Sequence, residues 1–189
     1  MFIQTEDTPN PASLKFLPGR EVTGAMPPID FPSQQAAEAS PLAAALFAID
    51  GVTSVFFGAD YIVVSKQNGL EWQIVKPALL TAIMEHFIAE RPLMSDGAAI
   101  GADAAEAEIA KEDSETVAII KQILDTRVRP AVAQDGGDIV FHGFQDGIVS
   151  LHLRGACAGC PSATATLKQG VENLLKHYVP SVSEVRAVL

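Results

Sequence analysis

The chain has 189 residues, a formal net charge of −10 at neutral pH and a hydrophobic fraction of 48%. Its length suits one medium domain or two small ones, and it has no uninterrupted apolar run of about 18 residues, as a membrane-spanning helix would need. Phosphate binding requires clustered Lys and Arg, which so acidic a chain does not offer. We therefore expect neither nucleic acid nor membrane among its partners.

The charge is distributed unevenly along the chain. Residues 1–90 carry a net charge of −6 and residues 91–113 a net charge of −4, whereas residues 114–189 have seven acidic and seven basic side chains. The middle segment is rich in Ala, Gly and acidic residues, a composition that buries little surface and repels itself. We predict two small domains, over residues 1–90 and 114–189, joined by an extended acidic linker over residues 91–113.

The first ninety residues predict a small α/β domain without a catalytic cluster. Ser40 followed by Pro41 is typical of a helix start, with Ser as N-cap and Pro at the first helical position, and Gly51 should end that helix. The last regular helix should begin near Pro77, because a proline is tolerated in the first turn of a helix but not in its interior. The predicted elements are a strand pair over residues 13–22 that turns at Pro18-Gly19, a helix from residue 40 to 51, a hairpin of residues 52–57 and 61–65, and a helix over residues 72–90.

The residues after the linker predict the order αββαβ and a three-stranded mixed sheet, so the fold class is α+β or α/β. The first helix begins at Ser114, and Pro130 should end or kink it. Asp135-Gly136-Gly137-Asp138 is a turn, because paired glycines permit positive φ. The last strand–helix–strand unit is a crossover, so its two strands should be parallel. The remaining elements are strands over residues 139–144 and 148–154, a helix from Pro161, and a strand over residues 182–188.

The motif that carries chemistry is Cys157-Ala-Gly-Cys160, which contains both cysteines of the chain. It lies in the loop between a predicted strand and the helix that begins at Pro161. A helix N-terminus carries unpaired N–H groups and about half a positive charge, and both favour a thiolate over a thiol. Gly155 and Gly159 remove side chains that would block a bulky inorganic group. The pattern predicts an exposed site at which Cys157 and Cys160 bind a metal or an iron–sulfur cluster.

The number of cysteines limits how such a site is completed. An iron–sulfur cluster usually takes four cysteine ligands, and one chain supplies two. Two chains whose loops face each other across a two-fold axis would supply all four. Such a site would be labile, because separating the subunits removes half of the ligands. Lability suits a carrier that does not itself catalyse a reaction.

Three other interpretations of the same motif stay open at this point. Zinc binds four cysteines in many structural sites, so two chains could share a zinc ion instead. A thiol–disulfide oxidoreductase also places Cys-x-x-Cys between a strand and a helix N-terminus. Against that alternative, no aromatic residue stands beside Cys157, and the order αββαβ differs from a thioredoxin-like pattern. The two cysteines could also be purely structural.

Several segments resemble one known family. Thr8-Pro-Asn-Pro11 and the run from Leu14 to Gly19 are similar to the N-terminal domain of Nfu-type proteins. The segments that resemble the C-terminal domain of NifU-type proteins are Arg129-Pro130, Asp135 to Ile139, Val149 to Leu153, Gly155 to Ser162, and Thr166 to Lys168.

The resemblance implies an iron–sulfur cluster carrier or late-acting assembly factor, with Cys157 and Cys160 as the ligands. In this family the cluster is usually [4Fe–4S] and bound between two subunits, with [2Fe–2S] as the alternative. The implied partners are a second copy of the chain, upstream scaffold proteins and apo-proteins that receive the cluster. Full-length NifU relatives add a scaffold domain with further cysteines, which this sequence lacks, so transfer is favoured over cluster synthesis.

The first ten residues are acidic and contain Pro9, unlike a secretory signal or a mitochondrial presequence. We therefore expect a bacterial cytoplasmic protein. A chain of eukaryotic origin whose presequence has been removed would instead belong in the mitochondrial matrix.

Overall fold

The computed structural model describes residues 2–95, 114–158 and 161–188. The chain divides into two compact units, Met1–Ala102 and Asp103–Leu189. The division falls inside the segment predicted as a linker, most of which lies outside the described residues. Each unit combines helices with a β-sheet, so the predicted class of two small mixed α and β domains is confirmed.

The sheet of the N-terminal unit is antiparallel throughout, in the order β1-β2-β5-β4-β3. Its strands are β1 (Gln4–Asp7), β2 (Ser13–Leu17), β3 (Ile29–Phe31), β4 (Val52–Phe57) and β5 (Ile62–Lys66). The predicted β4–β5 hairpin is confirmed. The predicted pairing of two strands within residues 13–22 is wrong, because β2 pairs with β1 and with β5 instead.

Three helices accompany this sheet: α1 (Gln34–Ala37), α2 (Pro41–Phe47) and α3 (Trp72–Ile88). The predicted start of α2 is confirmed, since the Ser40 side chain accepts a hydrogen bond from the backbone N–H of Ala43 at 3.2 Å. Pro77 lies inside α3, which begins at Trp72. The predicted start near Pro77 was therefore wrong. Pro77 is the sixth residue of α3, beyond the first-turn N–H groups that lack an intrahelical partner, so the helix continues through it at the loss of one hydrogen bond.

Residues 91–95 pack onto the N-terminal unit. The Ser40 hydroxyl donates to the carbonyl of Leu93, and the Ser95 N–H donates to the carbonyl of Ala39 at 2.9 Å. Leu93 and Met94 also contact the hydrophobic core beneath α2 and α3. This unit therefore extends past residue 90, the limit that the sequence predicts.

The C-terminal unit has the predicted order of helices and strands. Its sheet has the order β6-β7-β8, with β6 antiparallel to β7 and β7 parallel to β8, so the predicted three-stranded mixed sheet is confirmed. Its elements are α4 (Ser114–Ile123), α5 (Arg129–Gln134), β6 (Gly137–Gln145), β7 (Ile148–Gly155), α6 (Pro161–Tyr178) and β8 (Glu184–Val188).

A π-helical turn (Leu124–Val128) joins α4 to α5. In this turn the backbone N–H of Arg129 donates to the carbonyl of Leu124, five residues earlier. Pro130 follows at once, and a proline has no N–H and crowds the carbonyl four residues before it. The wider turn accommodates both effects, so helical conformation continues through Pro130 and the predicted end there is wrong. The π-helical turn directly before Pro130 is itself the kind of irregularity at which helices kink.

The core of the C-terminal unit is aliphatic. Val117, Ile120, Leu124 and Val128 are all buried and lie on one face of the helical segment before Pro130. Val171 and Leu175 on α6 and Val179 directly after it are also buried, whereas Tyr178 is 45% exposed. In the described part of the chain, none of the helices combines the length and the apolar character that crossing a membrane requires.

Candidate metal centre

The loop that carries Cys157 begins where β7 ends. Gly155 has a φ of 63°, which turns the chain out of the strand. The Ala156 N–H then donates to the carbonyl of Gly136 at 3.1 Å, which ties the loop to the turn before β6. The Thr164 hydroxyl donates to the Cys157 carbonyl at 3.3 Å. The backbone on both sides of Cys157 is thus held by the neighbouring β6 turn and by α6.

The side chain of Cys157 points into the protein. The residue is 8% exposed and belongs to the hydrophobic core of the C-terminal unit. A Cβ atom built on Gly137 would overlap the Cys157 sulfur and would lie 3.0 Å from the carbonyl oxygen of Arg154. The sulfur therefore occupies the space that a side chain at position 137 would take. The expectation of an exposed sulfur is wrong for Cys157 in this structure.

The electrostatic environment of Cys157 also differs from the sequence prediction. Burial raises the pKa of the Cys157 thiol, and the carboxylates of Asp135 and Asp138 add to this by repelling a negative sulfur, so that together they bring the pKa to about 11. The helix N-terminus was expected to lower this pKa. Its favourable field is outweighed here because the sulfur lies inside the core, where a charged form loses its hydration. At neutral pH the group is a thiol.

An ion pair fixes the turn beneath the sulfur. The Arg129 guanidinium donates to both carboxylate oxygens of Asp138, from Nε at 2.9 Å and from the terminal nitrogen at 3.0 Å. Asp138 is 4% exposed, and Arg129 also pairs with Asp125 at 3.2 Å. These hydrogen bonds hold the pKa of Arg129 above its ordinary range. Asp138 is therefore a structural anchor between α5 and β6, as the turn interpretation of this motif implies.

The second predicted ligand, Cys160, lies outside the described residues, as does Gly159. Among the residues that the structure describes, no three His, Cys, Asp or Glu side chains come together in a way that would hold a metal ion. The described part of the site thus offers one sulfur donor. A thiol is a soft ligand that suits iron–sulfur clusters and zinc, and coordination displaces its proton.

Sequence reasoning missed the role of Gly137. It treats Gly136 and Gly137 alike, as residues that permit positive φ, but only Gly136 adopts such a conformation, with a φ of 79°. Gly137 is instead the first residue of β6, and its lack of a side chain makes room for sulfur. The pairing of Arg129 with Asp138 was also missed, although both residues lie in segments that carry the family resemblance.

Two protein families match the chain, and together they cover most of it. Residues 3–90 match the family described as scaffold protein Nfu/NifU N terminal. Residues 120–186 match the family described as NifU-like domain. The order of the two matches is the one that the sequence motifs predict.

Similar proteins carry both parts. The mitochondrial NFU1 iron–sulfur cluster scaffold homologue of Drosophila ananassae is 51% identical over 188 residues, and that of Drosophila sechellia is 50% identical. Each alignment covers 100% of this chain, which spans 64% and 65% of the length of these two relatives. The solution NMR structure of a NifU-like protein from Saccharomyces cerevisiae aligns with 51% of this chain and 86% of its own, at 24% identity and a TM-score of 0.46.

Proposed function

Because the chain belongs to the family of Nfu and NifU-like scaffold proteins, we propose that it holds an iron–sulfur cluster between two subunits and transfers it to apo-proteins. Cys157 and Cys160 of each subunit are the four ligands, and the cluster is [4Fe–4S]. The observation that carries the proposal is the Cys157-x-x-Cys160 pair of the sequence, within the residues that match a NifU-like domain.

Ligand number supports the shared site. A cluster usually needs four cysteine ligands, and two per chain is the whole supply. A cluster held by four thiolates of two chains loses half of its ligands when the chains separate. Release to an acceptor protein is then a ligand exchange, in which thiolates of the acceptor bind the iron as the bonds from the iron to Cys157 and Cys160 of the two chains break, with no change of oxidation state.

The same site is poorly suited to thiol–disulfide exchange. The attacking species in that reaction is a thiolate, and its rate rises with the thiolate fraction and with access to the sulfur. Cys157 is buried, and its pKa of about 11 leaves little thiolate at neutral pH. For a metal or cluster the raised pKa is a smaller obstacle, because the sulfur exchanges its proton for iron as the bond forms.

The two units have different tasks in this proposal. Residues 114–189 form the cluster-binding domain. The N-terminal unit, which includes residues 91–95, selects partner proteins, and the rest of the segment up to residue 113 is the linker. Upstream scaffold proteins supply the cluster and apo-proteins receive it. The relatives are named as mitochondrial proteins, which favours the matrix over the bacterial cytoplasm as the compartment.

Anaerobic reconstitution with iron and sulfide tests the proposal. We expect a brown protein with about two iron atoms per chain, since a [4Fe–4S] cluster is shared by two chains, and a mass that doubles when the cluster is present. An intact cluster on a strictly monomeric chain, with no outside thiol such as glutathione, would contradict the shared site. A colourless monomer with a reversible disulfide would support the oxidoreductase instead.

Substitutions at the two cysteines test the ligands. Cys157→Ala and Cys160→Ala should each abolish cluster binding, as judged by visible absorption and iron content. Ala158→Ser is the matched control, because Ala158 is exposed in the same loop and offers no sulfur. Alanine is preferred to serine at position 157, because Cys157 is buried and a hydroxyl there would lack the polar surroundings it needs. Unchanged iron content in either cysteine variant would count against the assignment.

A further inference from the structure

The position of the Cys157 sulfur conflicts with the task that the proposed function gives it. The sulfur is packed among the core side chains of the C-terminal unit and against Gly137. A ligand to a cluster shared by two subunits must reach the surface, because the cluster and the partner's ligands lie outside this core. Coordination therefore requires the sulfur to leave the position in which the structure shows it.

We propose that Gly137 is the positioning residue of this site, that it holds the Cys157 sulfur in an inward position, and that the sulfur turns outward from Gly137 to bind a cluster. This inference rests on the proposed function for the identity of the ligand. A side chain at position 137 would overlap the sulfur, so a glycine is what makes the inward position available. The balance between the two positions then sets how readily a cluster is taken up and released.

The surroundings of Cys157 suit a local movement. Ala158, the next residue, is exposed, so one side of the loop faces solvent. Gly155 precedes the loop with a φ of 63°. Hydrogen bonds from the Ala156 N–H to the Gly136 carbonyl at 3.1 Å and from the Thr164 hydroxyl to the Cys157 carbonyl at 3.3 Å hold the loop backbone, and neither involves the sulfur. The Cys157 side chain can therefore change its rotamer without breaking either of them. The sulfur can thus turn outward while β6, β7 and α6 stay packed.

Gly137→Ala is the decisive variant. It is made in a Cys160→Ser background so that Cys157 is the thiol whose modification is measured. The added methyl group fills the space of the inward sulfur and favours the outward position. We expect N-ethylmaleimide to modify Cys157 roughly tenfold faster, a factor within the range that overpacking a well-packed core produces. With both cysteines present, Gly137→Ala should slow the loss of iron to a chelator by a similar factor. The cluster binds only the outward sulfur, so a variant that disfavours the inward position favours the cluster-bound state.

Gly143→Ala is the matched control. Gly143 lies on the same strand, and a Cβ atom there would meet nothing within 4 Å. Its modification rate and melting temperature should equal those of the parent. An unchanged modification rate in a folded Gly137→Ala protein would overturn the inference. If that rate rises but neither the parent nor the variant binds iron, the proposed function fails and the two positions of the sulfur remain.

A measurement on the protein with the natural Gly137 covers the case in which Gly137→Ala does not fold. The rate of Cys157 modification is followed in the Cys160→Ser chain at increasing urea concentrations below the unfolding transition. A local outward turn exposes little new surface, so the rate should be nearly independent of urea. A rate that rises with the full urea dependence of global unfolding would show that the sulfur leaves Gly137 only when the unit unfolds, and this would overturn the inference.

Discussion

Removing the ion pair between Arg129 and Asp138 should destabilise the C-terminal unit. Two hydrogen bonds of 2.9 and 3.0 Å join the guanidinium to a carboxylate that is 4% exposed. Arg129→Ala leaves that carboxylate buried without its cation. Breaking a buried pair by removing one partner costs about 3–5 kcal/mol. Because 37% of the Arg129 side chain is exposed, water can replace part of the lost interaction with Asp138. We therefore expect the free energy of unfolding to fall by about 2–3 kcal/mol.

A loss of this size is large for a small unit. Domains of 60–100 residues lose roughly 4–8 °C in melting temperature for each kcal/mol, so Arg129→Ala should melt roughly 10–20 °C lower. Arg129→Lys keeps the charge but cannot form the two parallel hydrogen bonds, and its effect should be intermediate. Amide hydrogen exchange of peptides from β6 and β7 measures the change directly in the C-terminal unit.

The chain offers a matched control for this experiment. Arg186 donates to both carboxylate oxygens of Glu184 at 3.0 and 3.2 Å, so the geometry is similar, but both side chains are exposed. Exposed pairs contribute little to stability, and Arg186→Ala should leave hydrogen exchange almost unchanged. An Arg129→Ala protein that is no less stable than the Arg186→Ala protein would refute the reasoning that burial gives the first pair its value.

Two further predictions concern the N-terminal unit. Burial, together with the nearby Arg91 charge, holds the pKa of His86 below its ordinary value of 6.5. The folded unit therefore favours the neutral imidazole and loses stability as the pH falls below 6.5. His86→Leu should flatten this pH dependence, measured as the urea midpoint of Trp72 fluorescence between pH 7 and pH 5, and a slope equal to that of the parent would exclude His86 as its source. Ser40 both caps α2 and donates to the Leu93 carbonyl, so Ser40→Ala should cost about 1–2 kcal/mol. Ser33 caps the four-residue α1 through an exposed hydrogen bond from the Ala36 N–H, so Ser33→Ala should change the same urea midpoint much less, and equal losses in the two variants would contradict this.

Local signals in the sequence predicted much of the fold. The Ser40-Pro41 helix start, the β4–β5 hairpin and the parallel β7–β8 pair follow from capping, turn chemistry and crossover rules that act within a few residues. The strand β1 was missed because its residues, Gln-Thr-Glu-Asp, are polar and mostly exposed, so no alternation marks them. Its pairing with β2 depends on a contact across a loop, which no local pattern shows.

For the candidate site, Cys157 and Cys160 as ligands stay a prediction, and the exposed environment expected for Cys157 was wrong. The spacing of Cys157 and Cys160 is a local signal, and it led to the motif directly. The burial of Cys157 depends on Gly137, which is twenty positions earlier in the chain, and on the packing of the whole unit. Helix-terminus electrostatics suggested a thiolate, but desolvation dominates once the side chain points inward. The direction of a side chain is a tertiary property.

The π-turn before Pro130 has a consequence for work with fragments of this protein. A synthetic peptide of residues 114–134 would lack β6 and α6, against which the side chains of the turn, Leu124 and Val128, are buried. Without that packing, the wide turn has no advantage over a regular α-helix. An α-helix rotates by about 100° per residue, which is more than the wide turn does. Arg129 would then leave the helix in a different direction from the one that meets Asp138. Antibodies or binders selected on such a peptide would recognise a surface that the intact protein does not present.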